Sequence, residues 1–242
     1  FVTRQVIQSS PSYKEVIPFR DSEQVVTHIK VSVMFLLSAI AVIIPFYSIG
    51  QIKDFGIPSI VNHSRSSYNA STQNWSITQS SKGFMYFGNN DGVLEFDGTN
   101  WTVFPVPNQS IIRSVLAVGD TIYTGAFEEI GFIAPGQDGR PVFHSLNHLV
   151  PRDFKAFDEI WSIFRYRNSL VFQSFNYIFI LNNGIIEVVE PLSQFSFMHL
   201  VNDKLYVVDV ETGLMHLSDN GLHLVSNHPV FFRNEVRCIL PF

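Results

Sequence analysis

The chain has 242 residues, 46% hydrophobic and 15% charged, with 23 Phe and 8 Tyr; it is long enough for a substantial core, and its composition excludes pervasive disorder. Sixteen Lys and Arg against 21 Asp and Glu leave a net charge of -5, which disfavours binding of a polyphosphate backbone, so no nucleic-acid partner is expected for this region. The single cysteine, Cys238, excludes an internal disulfide framework and a cysteine zinc cluster.

Residues 1–30 carry Pro11 and Pro18 among scattered charges without a sustained period, and no role is assigned to this leader. The first residue is Phe1 rather than Met, so a processed chain or a fragment is expected. From Val31 to Ile49 the run "VSVMFLLSAIAVIIPFYSI" holds no charged residue, which predicts a hydrophobic helix over 31–50 that enters a membrane. Its most apolar part, Val33 to Ile44, is near signal-peptide length, and Ser48 to Gly50 supply small residues where a signal peptidase would cut. Left uncleaved, the whole run would just span a bilayer as a signal anchor. Both readings predict export, and a buried core helix is disfavoured because such helices usually show a polar face.

After a linker at 51–73 the sequence changes to short runs of Val, Ile, Phe, Tyr and Trp punctuated by Gly, Asn and Asp, a grammar of strands and tight turns. The runs fall into four similar units. The first is "NWSITQ", "FMYFG", "VLEF", "WTVF" (74–104), and the second "IIRSVLAV", "TIYTG", "GFIA", "PVFHS" (111–145). The third is "EIWSIFRY", "LVFQSF", "YIFIL", "IIEVV" (160–189), and the fourth "FSFMHLV", "KLYVVDV", "LMHL", "LHLV" (195–225). A fifth opens at 235 with "EVRCIL". Placing Trp75, Arg113, Trp161, Met198 and Arg237 at equivalent first-strand positions gives a period near 40 residues, stretched once by the loop "LNHLVPRDFKAFD". Four antiparallel strands recurring at that period predict an all-β fold, a β-propeller of four-stranded blades, whose ring is expected to be incomplete over 74–242. A β-sandwich would not repeat the same four-strand phrase.

In such a blade the loop before the first strand and the turn between the second and third strands share one face, the default ligand surface. That places Asn89, Asn90, Asp91, Asn108, Ser110, Glu128, Glu129, Asp158, Glu159, Asn176, Tyr177 and Glu211 there, with Arg113, Trp161 and Arg237 on inner strands. Amides, carboxylates, arginine and aromatic faces suit a hydroxyl-rich or acidic ligand, a small molecule or an oligosaccharide. The same Asn, Asp and Gly residues are also turn formers.

Enzymatic patterns are weak. Adjacent Glu128 and Glu129 would point to opposite faces of a strand, a poor acid/base pair. His144 and His148 have a ligand-like spacing but lie among Pro141, Asn147 and Pro151 with no HExxH, so no metal is expected. No phosphate-binding, dinucleotide or serine-hydrolase motif occurs, so neither a cofactor nor catalytic residues are assigned. "FDGTNW" is similar to the Asp box of sialidase propellers only in outline, since Asp97 and Gly98 are adjacent.

The phrases "YNASTQNWSITQSSKGFMYFGNNDGVLEFDGTNW", "SIIRSVLAV", "IYTGAFEEIGFI" and "EIWSIFRYRNSLVFQSFNYIFIL" resemble the periplasmic sensor propellers built of regulator-propeller repeats. These occur in bacterial hybrid two-component sensors and in triple-tyrosine-domain LuxR-type regulators. The resemblance covers about 55–242 and leaves out 1–30. It implies a non-enzymatic, ligand-sensing region at the periplasmic face of the inner membrane, in a homodimeric signalling or transcription-regulating protein that responds to glycan fragments. Two other readings remain, a secreted adhesion or scaffold propeller and a glycan-cleaving propeller enzyme; exposed apolar outer strands would mark the scaffold.

Overall fold

The computed structural model describes residues 27, 30–38, 60–232 and 236–241, and the chain divides into two compact units, Phe1–Ile60 and Val61–Phe242. In the first unit, residues 30–38 are helical, with Met34, Phe35 and Leu36 exposed. Among the described residues no helix is long and apolar enough to cross a membrane. The remainder of the apolar stretch, the leader over 1–26 and the linker's first part over 51–59 lie outside the described residues.

The second unit holds sixteen strands in four antiparallel sheets. The first sheet comprises β1 (Asn74–Gln79), β2 (Met85–Asn89), β3 (Gly92–Phe96) and β4 (Trp101–Phe104), and the second β5 (Ile112–Val118), β6 (Thr121–Ala126), β7 (Glu129–Pro135) and β8 (Pro141–Ser145). The third comprises β9 (Ser162–Tyr166), β10 (Ser169–Gln173), β11 (Ile178–Asn182) and β12 (Ile185–Val189), and the fourth β13 (Phe195–Val201), β14 (Lys204–Asp209), β15 (Gly213–Ser218) and β16 (Gly221–Ser226). Each sheet is a meander in which every strand pairs with the next in sequence. Their first strands, β1, β5, β9 and β13, neighbour one another along the inside of an open ring. The all-β architecture of four four-stranded units read from the repeats therefore holds. Of the fifth unit, residues 236–241 carry no strand, and the Val236 carbonyl lies 2.8 Å from His199 Nε2.

Local chemistry explains the reversals. The turn Asn90–Asp91 joins β2 to β3, and Gly92 follows at φ +131°, where a Cβ would strike the Phe104 carbonyl. Gly213 repeats this in the fourth sheet at φ +117°, against the Ser226 carbonyl. Between β3 and β4 the Asp97 carboxylate accepts hydrogen bonds from the Thr99 N–H at 2.7 Å and the Asn100 N–H at 2.6 Å, so "FDGTNW" is a side-chain-stapled turn.

Apolar side chains fill the spaces between successive sheets. Ile112, Val93 and Ile122 pack between the first two, and Ile130, Ile160, Phe172 and Phe179 between the second and third. The long loop after β8 is part of that second core, because Leu146, Val150 and Phe157 are buried in it. Met198, set level with Trp75 and Arg113 by the repeat period, instead packs with Val171 and Val207 between the third and fourth sheets, 3% exposed. The registers give the reason: Met198 pairs with Val207 as Val115 pairs with Thr124, so it stands two residues beyond the place of Arg113. On the inside, small residues let the sheets close up: a Cβ on Gly88 would lie 2.8 Å from the Ile112 carbonyl oxygen. At the outer end of this packing, Lys82 pairs with Asp120 at 3.1 Å and Arg167 with Asp219. These exposed pairs bridge neighbouring sheets but add little stability.

Asp209, at the end of β14, shows how the incoming loops are held. Its carboxylate accepts from the Leu192 N–H at 2.8 Å, the Ser193 N–H at 3.0 Å and the Ser193 hydroxyl at 2.6 Å. Burial pushes its pKa up, but these hydrogen bonds and one from Thr212 outweigh it and hold the group below its ordinary 3.8. A carboxylate whose folded pKa is depressed stabilises the fold above its unfolded pKa and loses that contribution as pH falls through the folded value. Asp209→Ala is expected to cost about 2–3 kcal/mol at pH 7 by stranding these donors. The difference between wild type and variant should shrink in urea melts below pH 3.8.

Candidate functional site

The loops leading into β1, β5, β9 and β13 and the turns after β2, β6, β10 and β14 emerge on one face of the ring. At this face the inner strands bulge, with register shifts between Asn74 and Ser76, between Ile112 and Ser114, and between Phe195 and Met198. Bulges re-aim side chains. The residues displaced are Trp75, Arg113 and the pair Ser196–Phe197. Trp161 stands at the corresponding place ahead of β9, its N–H bonded to the Gln173 carbonyl at 2.8 Å.

These residues form one row across four sheets. The Arg113 guanidinium lies 3.7 Å from the Trp75 ring centroid and 4.9 Å from that of Trp161. Its Nη2 pairs with Glu159 Oε1 at 2.6 Å, in surroundings that leave the two side chains 12% and 20% exposed. Trp161 stacks on Phe175 at 5.2 Å, and Phe197 meets both edge-on at 5.9 and 5.5 Å. The Arg237 guanidinium lies 4.8 Å from the Phe197 ring centroid. Trp75, 38% exposed, donates its indole N–H to Asn90 Oδ1 at 2.7 Å, which fixes the ring's orientation. Arg113 Nε and Nη1 are buried without a hydrogen-bond partner, an unusual state for a guanidinium.

The remaining candidates serve mainly to hold the loops. The Asp91 carboxylate accepts from the Ser71 N–H at 2.8 Å, and Asn108 donates to the Phe127 carbonyl at 3.1 Å while accepting from the Ser110 N–H. Asn89, buried at the end of β2, donates to the Ser71 and Gln73 carbonyls. Glu128 sits at φ +49° with its N–H on the Asp158 carbonyl, and its side chain is exposed. Glu129 is buried; it accepts from the Ser145 hydroxyl and from Asn147, toward β8 and away from Arg113. Burial raises its pKa, opposed by the Ser145 hydrogen bond. Asp158 is also raised, first by burial and further by the Glu159 charge, against a hydrogen bond from the Phe175 N–H. Asn176 and Glu211 are exposed, and Tyr177 packs edge-on against Phe154 and Phe179.

Of the residues singled out from sequence, Arg113, Glu159 and Trp161 thus converge, while Trp75, Phe175 and Phe197 join them without having been proposed as ligand residues. The signal for Trp75 was present. "WS", "RS" and "WS" open the inner strands of the first three units at 75–76, 113–114 and 161–162. His144 stacks on Phe132 at 4.9 Å, and His148 Nδ1 lies 3.1 Å from the Ser145 carbonyl. Among the described residues no cluster of three metal-ligating side chains occurs.

No protein-family model and no curated protein matches the chain. Solved structures do. The WD40 β-propeller domain of Doa1 superimposes with a TM-score of 0.50 at 11% identity, over 65% of this chain and 57% of that one. The fold is a β-propeller. Also similar are extracellular domains from B. thetaiotaomicron. One, of BT4673, described as a one-component system, has a TM-score of 0.45 and 15% identity over 64% of this chain and 22% of its own. Another, of BT3049, described as a hybrid two-component system, has a TM-score of 0.27 and 10% identity over 72% and 38%. The propeller thus spans between 22% and 57% of these structures.

Proposed function

We propose that this propeller is the exported ligand-receiving part of a membrane-associated signalling or transcription-regulating protein, and that it recognises a glycan-derived ligand on the face carrying Trp75, Arg113 and Trp161. The observation that carries the reading is the row itself: an arginine held between two indoles and paired with Glu159, at the mouth where every loop of that face meets. Aromatic faces take the apolar side of a sugar ring, while the Glu159 carboxylate, oriented by Arg113, supplies an acceptor for hydroxyl groups. Stacking faces beside hydrogen-bonding groups support a reading in which the propeller binds its ligand.

A ligand shifts an equilibrium only as far as its affinity differs between two arrangements of the receptor. The sheets are tied to one another by continuous cores, so the signal is passed by movement of the propeller as a body against its homodimeric partner. Exposed apolar residues on outer strands, Val142, Ile185, Leu224 and Val225, are the surface on which the scaffold reading would rest.

Tryptophan fluorescence of the chain titrated with neutral and acidic oligosaccharides tests the reading. A saturable change is expected, weakened about tenfold in Trp75→Ala, as a lost stacking contact of ~1.5 kcal/mol implies. Trp75 is 38% exposed and covers the Arg113 guanidinium, so the thermal midpoint should fall and affinities are compared at a temperature where both proteins stay folded. Equal affinity in the variant would remove this face from consideration.

A further inference from the structure

On the rim opposite the candidate site, a cavity of about 170 Å³ opens between the first and second sheets. Phe84, Ile122, Ile133, Pro135 and Pro141 line it with apolar surface, and Ser80, Lys82, Tyr86, Glu95 and Asp120 add polar groups. Tyr86 donates its hydroxyl to Glu95 Oε2 at 2.6 Å, and among the described residues no donor reaches Glu95 Oε1. Ser80 lines the same cavity, is 8% exposed, and its Oγ has no hydrogen-bond partner. Such an orphan is costly unless something occupies the space before it.

Two carboxylates against one lysine make the lining acidic. Lys82 is 61% exposed and pairs with Asp120 at 3.1 Å, so it is committed away from Glu95. Tyr86 reports the same field: burial pushes its phenol up first, and the Glu95 hydrogen bond and the charges of Glu95 and Asp120 push it further. An anion would be repelled by both carboxylates. A bare divalent ion would need a ring of oxygen ligands that the apolar walls do not give, and no cluster of three metal-ligating side chains lies here among the described residues. A primary ammonium head, with three donors and no acceptor, matches a free carboxylate oxygen, a serine hydroxyl and a compensating charge, and a short alkyl stem matches the walls. The cavity is well below the roughly 300–1,000 Å³ of sites for drug-sized molecules, so the stem is short.

We propose that this cavity is a second binding site, independent of the Trp75–Arg113 face, for a small primary amine carried as its ammonium ion on a short apolar stem. The test is an NMR titration of the full chain with n-butylammonium, 1-butanol serving as the uncharged probe of equal stem. Saturable shifts are expected at the amides of residues 80–86, 95 and 119–122, with butanol at least about tenfold weaker. Glu95→Gln, which keeps an acceptor for Tyr86, should weaken butylammonium at least about tenfold with the thermal midpoint retained, and Ser80→Ala should weaken it less. Shifts that do not saturate, that butanol reproduces equally, or that survive Glu95→Gln overturn the proposal; the cavity then holds only water. Oligosaccharide binding at the opposite face is read separately by tryptophan fluorescence, so either site can fail alone.

Discussion

Phe179→Ala should cost about 3–5 kcal/mol, the usual price of deleting a buried aromatic ring and leaving its cavity. Phe179 is fully buried, 0% exposed, in the core shared by the second and third sheets, and its ring lies 4.8 Å from that of Phe157. Phe157 comes from the long loop after β8, so the substitution removes the contact that fastens this loop to the sheet as well as the inter-sheet packing. Folded domains hold about 5–15 kcal/mol, so the loss is a large share of the total. Urea melts of the full chain should show a lower midpoint with an unchanged slope. A loss below about 1 kcal/mol would mean that the inter-sheet core is not the main support of the ring.

Glu159→Gln should destabilise the chain by about 3 kcal/mol, the low end for a buried ion pair that loses one partner, because Glu159 remains a fifth exposed. Arg113 already has two buried nitrogens without hydrogen-bond partners, and the substitution removes the charge that offsets its desolvation. The neighbouring backbone has its own ties: the Ile160 N–H bonds the Ala126 carbonyl at 3.1 Å, and Ser114 Oγ donates to the Ile160 carbonyl at 2.7 Å. The fold should therefore survive with a lower melting point, and the arginine should become more mobile between its indoles. Raising salt should not reproduce the effect, since buried pairs are weakly screened. Wild-type stability in Glu159→Gln would show that cation–π contacts with Trp75 and Trp161 suffice to hold the guanidinium.

The strands were legible because turn residues and β-formers alternate locally: "GNNDG" and "FDGTNW" become the reversals their composition indicates. What escaped the sequence depends on long-range packing. Leu146, Val150 and Phe157 are spaced irregularly among Pro, Asn and charged residues, so nothing periodic marks them as core, yet they are buried. Met198 was misplaced because the repeat period set it level with Arg113, two residues away from Val115, its counterpart in register, and nothing in the local composition marks that shift. At the site, Asn90 and Asp91 show the deeper difficulty. A side chain that could bind a ligand is the same one that can fasten a loop, and here both are engaged internally, Asn90 on the Trp75 indole and Asp91 on the Ser71 N–H. Trp75, Arg113 and Trp161 were readable as a repeated position, but only the bulged strands turn them toward one another.

The most direct test of the central claim is a crystal structure of the chain with the tightest-binding oligosaccharide from the fluorescence panel. The account predicts a sugar ring against Trp75, Trp161 or Phe175, with Glu159 or Arg113 within hydrogen-bonding distance of its polar groups. A sugar bound on the opposite rim or between two sheets, with the Trp75–Arg113–Trp161 row unchanged and empty, would contradict it.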